Sequence, residues 1–136
     1  MTHTGITLLS FAAWTLLLLM SIGGMRTLAV MTGKKAANSF QPGGEDFPGF
    51  GQRLTRAHAN CYEFLPIAGA VMLYAIATNQ TALTDGLAYA FIGARIAQSV
   101  VHLTSTSKLL VTIRFGFFIV QVVILVIWLL KLFHHI

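Results

Sequence analysis

Long apolar runs alternate with short polar breaks along this chain. A membrane-spanning helix needs roughly 20 mostly apolar residues. Four segments reach that length, at about 6–30, 54–78, 83–104 and 109–133. The break between the second and third is "NQTAL" and the break between the third and fourth is "STSK", both short enough for tight turns. The first break differs: "GKKAANSFQPGGEDFPGFGQR" is polar, rich in Gly and Pro, and has no helical period. The pattern predicts an all-α, integral membrane four-helix bundle. It forms a single domain over 1–136, with a long loop over about 31–53.

The polar residues inside the apolar runs are not scattered. On a wheel of ~100° per residue, Arg56, Asn60 and Glu63 stand at i, i+4 and i+7 of the second helix, on one narrow face with Arg53 near it. Glu63 lies about 10 Å along the axis from Arg56. Pro66 follows and removes the backbone bond to the Tyr62 carbonyl. In the third helix Arg95, Gln98, Ser99 and His102 share a face, which Thr106 extends. Arg95 falls near mid-span, where a charge costs at least ~2.5–3.5 kcal/mol and calls for a partner. Asp85 stands at the very start of the third span and Glu63 is the only carboxylate further inside one, so a Glu63–Arg95 pair is expected. The fourth helix offers Arg114 with Gln121 two turns on, and the first a weaker stripe of Thr7, Ser10, Trp14 and Ser21 ending at Arg26.

Composition supports the membrane reading. Of 136 residues, 56% are hydrophobic and 10% charged, where a soluble domain carries about 25% charged. The N-terminal run has no basic flank and no small-residue cleavage site, and reads as a retained span. One cysteine excludes an intrachain disulfide and a multi-cysteine metal site. Cys61 and His58 turn away from the Arg56–Glu63 face, and the "HH" near the C-terminus reads as a solvated tail, so no metal is expected.

The formal charge of +5 does not point to nucleic acid once its distribution is read. Arg26, Lys34, Lys35, Arg53 and Arg56 flank or fill the first connection, and Lys108 and Arg114 the third, while the second has none. The positive-inside rule puts those two connections in the cytoplasm and both termini outside. The basic excess then follows from topology and contact with anionic membrane lipids.

The polar stripes converge toward that basic end. Arg26, Arg53, Arg56, Lys108 and Arg114 surround one acid and one amide, a set suited to a ligand bearing carboxylates. Glu63 would take a cationic amine or fix the arginines. A buried Arg–Glu pair alone often serves only helix register. The larger constellation favours a ligand site, as ionisable groups within a membrane usually do. A small four-span exporter would rest on a carboxylate in its first helix, and this first helix has none.

The stretch "RLTRAHANCYEFLP" closely resembles the signature of the MAPEG family, the membrane-associated proteins in eicosanoid and glutathione metabolism. Its pattern, R-A-x-x-N-x-x-E-x-x-P, is matched at Arg56, Ala57, Asn60, Glu63 and Pro66. "GKKAAN" and "ARIAQSVVHL" resemble the family's first loop and third helix, so the likeness runs over essentially the whole chain, closest to the bacterial branch. The resemblance implies a homotrimer in a bacterial inner membrane, with glutathione bound near the cytosolic face between subunits. It implies a glutathione-dependent transferase or peroxidase acting on lipophilic electrophiles or lipid hydroperoxides. Glutathione would be held by Arg26, Arg53, Arg56, Asn60, Glu63, Phe64, Arg95, Gln98 and His102. Arg114, or alternatively Lys108, would activate the thiol. Members with leukotriene-type activity carry tyrosines where Phe64 and His102 stand, and prostaglandin-forming members a serine at Phe115, so those two activities are not expected. A non-catalytic glutathione- or lipid-binding scaffold is the alternative.

Overall fold

Four helices account for most of the chain: α1 (His3–Met31), α2 (Phe50–Ala77), α3 (Asp85–Thr104) and α4 (Lys108–His134). A short 3-10 turn at Thr81–Leu83 precedes α3. The computed structural model describes the chain except residues 37, 43, 45–48, 106 and 136. Thr106 and the acidic part of the first loop therefore lie outside the described residues. α2 runs unbroken through Pro66.

α1, α2 and α4 are long and apolar enough to cross a membrane. At ~1.5 Å per residue each runs about 40 Å or more, against a hydrocarbon core of ~30 Å. α3 has 20 residues, which just suffices in length, but it carries Arg95, Gln98, Ser99 and His102 along one face. Its position explains how that is tolerated. α3 packs against all three other helices, and its Arg95, Gln98, Ser99 and His102 are all buried there. Much of the exposed apolar surface belongs to α1 and α4, which expose Leu16, Leu17, Met20, Val123, Val126 and Leu130.

The core is built from large aromatics set against small residues. Phe11, Phe91, Met72 and Trp128 are fully buried, as are Ala68, Ala75, Ala88 and Cys61. Small residues let helices approach closely where lipid supplies no hydrophobic drive for association. Cys61 is enclosed by the core and touches the Ser99 hydroxyl at 3.5 Å.

The two ends of the bundle are closed by different devices. At one end Asp85, at the start of α3, accepts from the Thr4 backbone N–H at 2.8 Å and from its hydroxyl at 2.6 Å, capping the orphan donors of α1. At the other, Ser107 caps α4 through Leu110 N–H, and the Arg53 guanidinium donates from Nε to the Leu103 carbonyl at 3.0 Å. Arg53 thereby satisfies a carbonyl at the C-terminus of α3, where a cation is also favoured by the helix dipole. The first loop is held at two described points. Arg26 donates to the Gln41 carbonyl at 3.2 Å and lies over the Phe40 ring. Gly44, with φ of +78°, sits so tightly on Thr55 that an added Cβ would come within 2.7 Å of its hydroxyl oxygen.

Candidate functional site

α4 packs chiefly on α3 and touches α2 much less. A pocket of about 410 Å³ opens between α2 and α4 at the basic end, with α3 behind it. α2 contributes Gln52, Arg53, Arg56, Ala59, Asn60 and Glu63, α3 contributes His102, and α4 contributes Val111 and Arg114. The face read from the helical wheel is therefore a wall of one cavity. Three guanidinium groups, an imidazole and two amides meet a single carboxylate.

Side-chain placement within the pocket follows from rotation around each helix. Arg56 and Glu63 are exposed at the opening, Asn60 and Arg114 are half-buried, and His102 is buried at the back. Arg53 is partly committed to the Leu103 carbonyl.

The expected Glu63–Arg95 pair does not form. Arg95 is fully buried, and its Nη1 donates to Asn60 Oδ1 at 3.1 Å. The guanidinium lies between two aromatic rings, 4.8 Å from the Phe64 centroid and 5.5 Å from that of Phe11. Its Nε and Nη2 make no hydrogen bond to any described residue. Asn60 and Glu63 differ by only ~60° on the wheel, yet that rotation turns Asn60 toward α3 and Glu63 toward the opening. The aromatic faces and one amide take the role assigned to the carboxylate.

A second pocket of about 260 Å³ adjoins the first. It shares Asn60, Val111 and Arg114 and adds Gln98, Phe115 and Phe118. Gln98 is one turn before His102 on α3, and Phe118 one turn beyond Arg114 on α4. This pocket thus lies about 5 Å further from the basic end. Behind it, Gln121 Nε2 donates to Gln98 Oε1 at 2.7 Å and to the Phe117 carbonyl at 3.0 Å.

Of the residues singled out from sequence, Arg53, Arg56, Asn60, Glu63, His102 and Arg114 are brought to the first pocket. Gln98 is brought only to the second. Arg95 and Phe64 form a layer behind Asn60 and line neither cavity. Arg26 is engaged with the first loop, and Lys108 is exposed at the start of α4 outside both linings. Sequence reading missed Gln52, Ala59 and Val111 as wall residues. Their only signal was position, one turn from Arg56, Glu63 and Arg114 on their helices.

A family model, that of the MAPEG family, matches residues 4–134. Neither the curated proteins nor the solved structures contain a match.

Proposed function

The chain belongs to the MAPEG family, and from that premise we propose that it is a membrane-bound, glutathione-dependent transferase or peroxidase. The observation that carries this reading is the charge pattern of the larger pocket. Glutathione brings two carboxylates and one ammonium. The pocket offers Arg53, Arg56 and Arg114 for the carboxylates and thiolate, and Glu63 for the amine. Asn60 supports the fit, because its oxygen is taken by Arg95 and its NH₂ is left to donate to a peptide carbonyl.

Arg114 is the better candidate for thiol activation, since it borders both pockets whereas Lys108 borders neither. A guanidinium beside sulfur stabilises the thiolate and lowers its pKa. In conjugation the thiolate sulfur forms a bond to an electrophilic carbon and the leaving group departs with the displaced pair. In peroxidase turnover two glutathione thiols reduce one hydroperoxide to alcohol and water and leave as the disulfide. The proposal extends to a homotrimer in a bacterial inner membrane with the basic end in the cytoplasm.

The test is conjugation of a generic aryl halide, with glutathione titrated, by protein in nanodiscs. Arg114→Ala is expected to lose turnover while retaining saturable glutathione binding. Loss of turnover in Lys108→Ala instead would move the activating role. Saturable binding without turnover in the wild type would leave a non-catalytic scaffold.

A further inference from the structure

The two amides bordering the second pocket are each oriented from behind. Arg95 can only donate, so the Asn60 atom facing it must be the oxygen. The Phe117 carbonyl can only accept, so the Gln121 atom facing it must be the nitrogen. That same nitrogen fixes the Gln98 atom facing it as oxygen. Asn60 and Gln98 therefore both turn their NH₂ groups away from these partners. Gln98 is 97% buried by relative exposure of 3%, and its NH₂ makes no hydrogen bond to any described residue. Beside them stands the Arg114 guanidinium, another pure donor. The opposite wall is apolar, with the rings of Phe115 and Phe118 6.2 Å apart and tilted by 31°.

We infer that the second pocket seats the electrophile and that Gln98 donates to an oxygen that becomes negative there, which selects conjugated carbonyl compounds. The inference rests on the glutathione reading of the first pocket. The described lining is Asn60, Gln98, Val111, Arg114, Phe115 and Phe118, and no group in it readily gives up a proton near neutral pH. An epoxide or a hydroperoxide releases an alkoxide or hydroxide that needs a proton during bond breaking. A conjugated carbonyl does not. Thiolate sulfur forms the C–S bond at the β-carbon and the C=C pair shifts to give an enolate. Its charge rests on the carbonyl oxygen, held by hydrogen bonds, and the α-carbon then takes a proton from water. Preset donors aimed at a developing oxyanion stabilise the transition state more than the ground state. The flat conjugated system suits the two aromatic rings, and its approach from the bilayer suits a pocket one turn deeper than the glutathione site.

The test compares two electrophiles in nanodiscs at saturating glutathione: trans-4-phenyl-3-buten-2-one, and benzyl chloride, which expels chloride and forms no oxyanion. Gln98→Glu keeps the acceptor for Gln121 and replaces the donor. Its ratio of kcat/KM for the enone over benzyl chloride is expected to fall about 100-fold, the scale of losing one oxyanion donor. An unmoved ratio, with both substrates falling together or neither falling, overturns the inference. So does a wild type that turns over benzyl chloride and ignores the enone, while the glutathione reading survives. A wild type that binds no glutathione defeats both. If Gln98→Glu does not fold, Gln98→Met is read by equilibrium binding instead. The wild type is expected to prefer the glutathione adduct of the enone to S-benzylglutathione, and the variant to lose that preference. Equal preference in the two proteins overturns the inference without any turnover being needed.

Discussion

Arg95 sets up a comparison in which the charged residue is the more dispensable partner. Arg95→Met replaces a buried guanidinium by an apolar chain of similar reach. The loss is one charge-assisted hydrogen bond to Asn60, about 1.5–3 kcal/mol. Two ring contacts, roughly 0.5–2 kcal/mol each, go with it. Against this stands relief of at least ~2.5–3.5 kcal/mol for holding a charge at this depth. It is joined by the cost of two N–H-bearing nitrogens, Nε and Nη2, that bond no described residue. The opposing terms are of equal size, so the net change should lie within about 2 kcal/mol of zero. Asn60→Leu does the reverse. It keeps the charge and removes the hydrogen bond to Asn60, for a loss of about 3 kcal/mol. The assay is reversible unfolding in mixed micelles, with both variants compared at one detergent composition. Asn60→Leu should be clearly the less stable. The reverse order, with Arg95→Met the more damaging, would show that the guanidinium is paired by something other than this amide and these rings. Both variants should bind glutathione less well, since Asn60 loses either its orientation or its donor.

Three other outcomes follow from particular contacts. Glu63→Gln should weaken glutathione binding about tenfold, a loss of ~1.4 kcal/mol of interaction with an ammonium group, and leave the melting temperature unchanged, because Glu63 is exposed and is not the partner of Arg95; isothermal titration and thermal unfolding read the two halves. Asp85→Ala removes the acceptor for Thr4 at the far end of the bundle and should cost about 1–2 kcal/mol, with glutathione affinity unmoved; a change in affinity would show that the two ends are coupled. Gly44→Ala puts a Cβ against Thr55 at a positive φ and should unseat the first loop, read as faster limited proteolysis between α1 and α2 at unchanged helical content.

The helices were legible because length and hydropathy are properties of the chain alone, and the polar stripe of α2 survived folding as a wall of one cavity. The partner of Arg95 was not legible. Sequence gives the angle between Asn60 and Glu63 but not the rotation of α2 against α3. That rotation is set by packing, through contacts such as Cys61 on Ser99 and the buried Ala68 and Met72. Counting charges also favoured a carboxylate, since a wheel has no means of showing that Phe11 and Phe64 would close on the guanidinium from both sides. Arg26 and Lys108 failed to reach the pocket for a related reason. Each is basic and near the right depth, but one is held by the loop and the other stands exposed at the start of α4, six residues before Arg114.

The two relays, Arg95 to Asn60 and Gln121 to Gln98, share a logic that bears on why costly polar groups are kept in a membrane core. An amide at the edge of a cavity can turn over and present either end. Fixing its oxygen from behind leaves only donors in front, which is what an anionic ligand or a developing oxyanion needs. Gln121 accepts a penalty for this, since its own Oε1 is buried and bonds no described residue. Gln121→Met tests that role. It leaves the buried Gln98 oxygen without its donor and should cost about 1–3 kcal/mol whichever role the glutamine has, so turnover is the readout that separates the two. If Gln121 serves only packing, enone and benzyl chloride turnover should change alike. If it orients Gln98, the enone-to-benzyl-chloride ratio should fall, by less than in Gln98→Glu because the freed amide still presents its NH₂ part of the time. A ratio unchanged from the wild type would refute the orienting role.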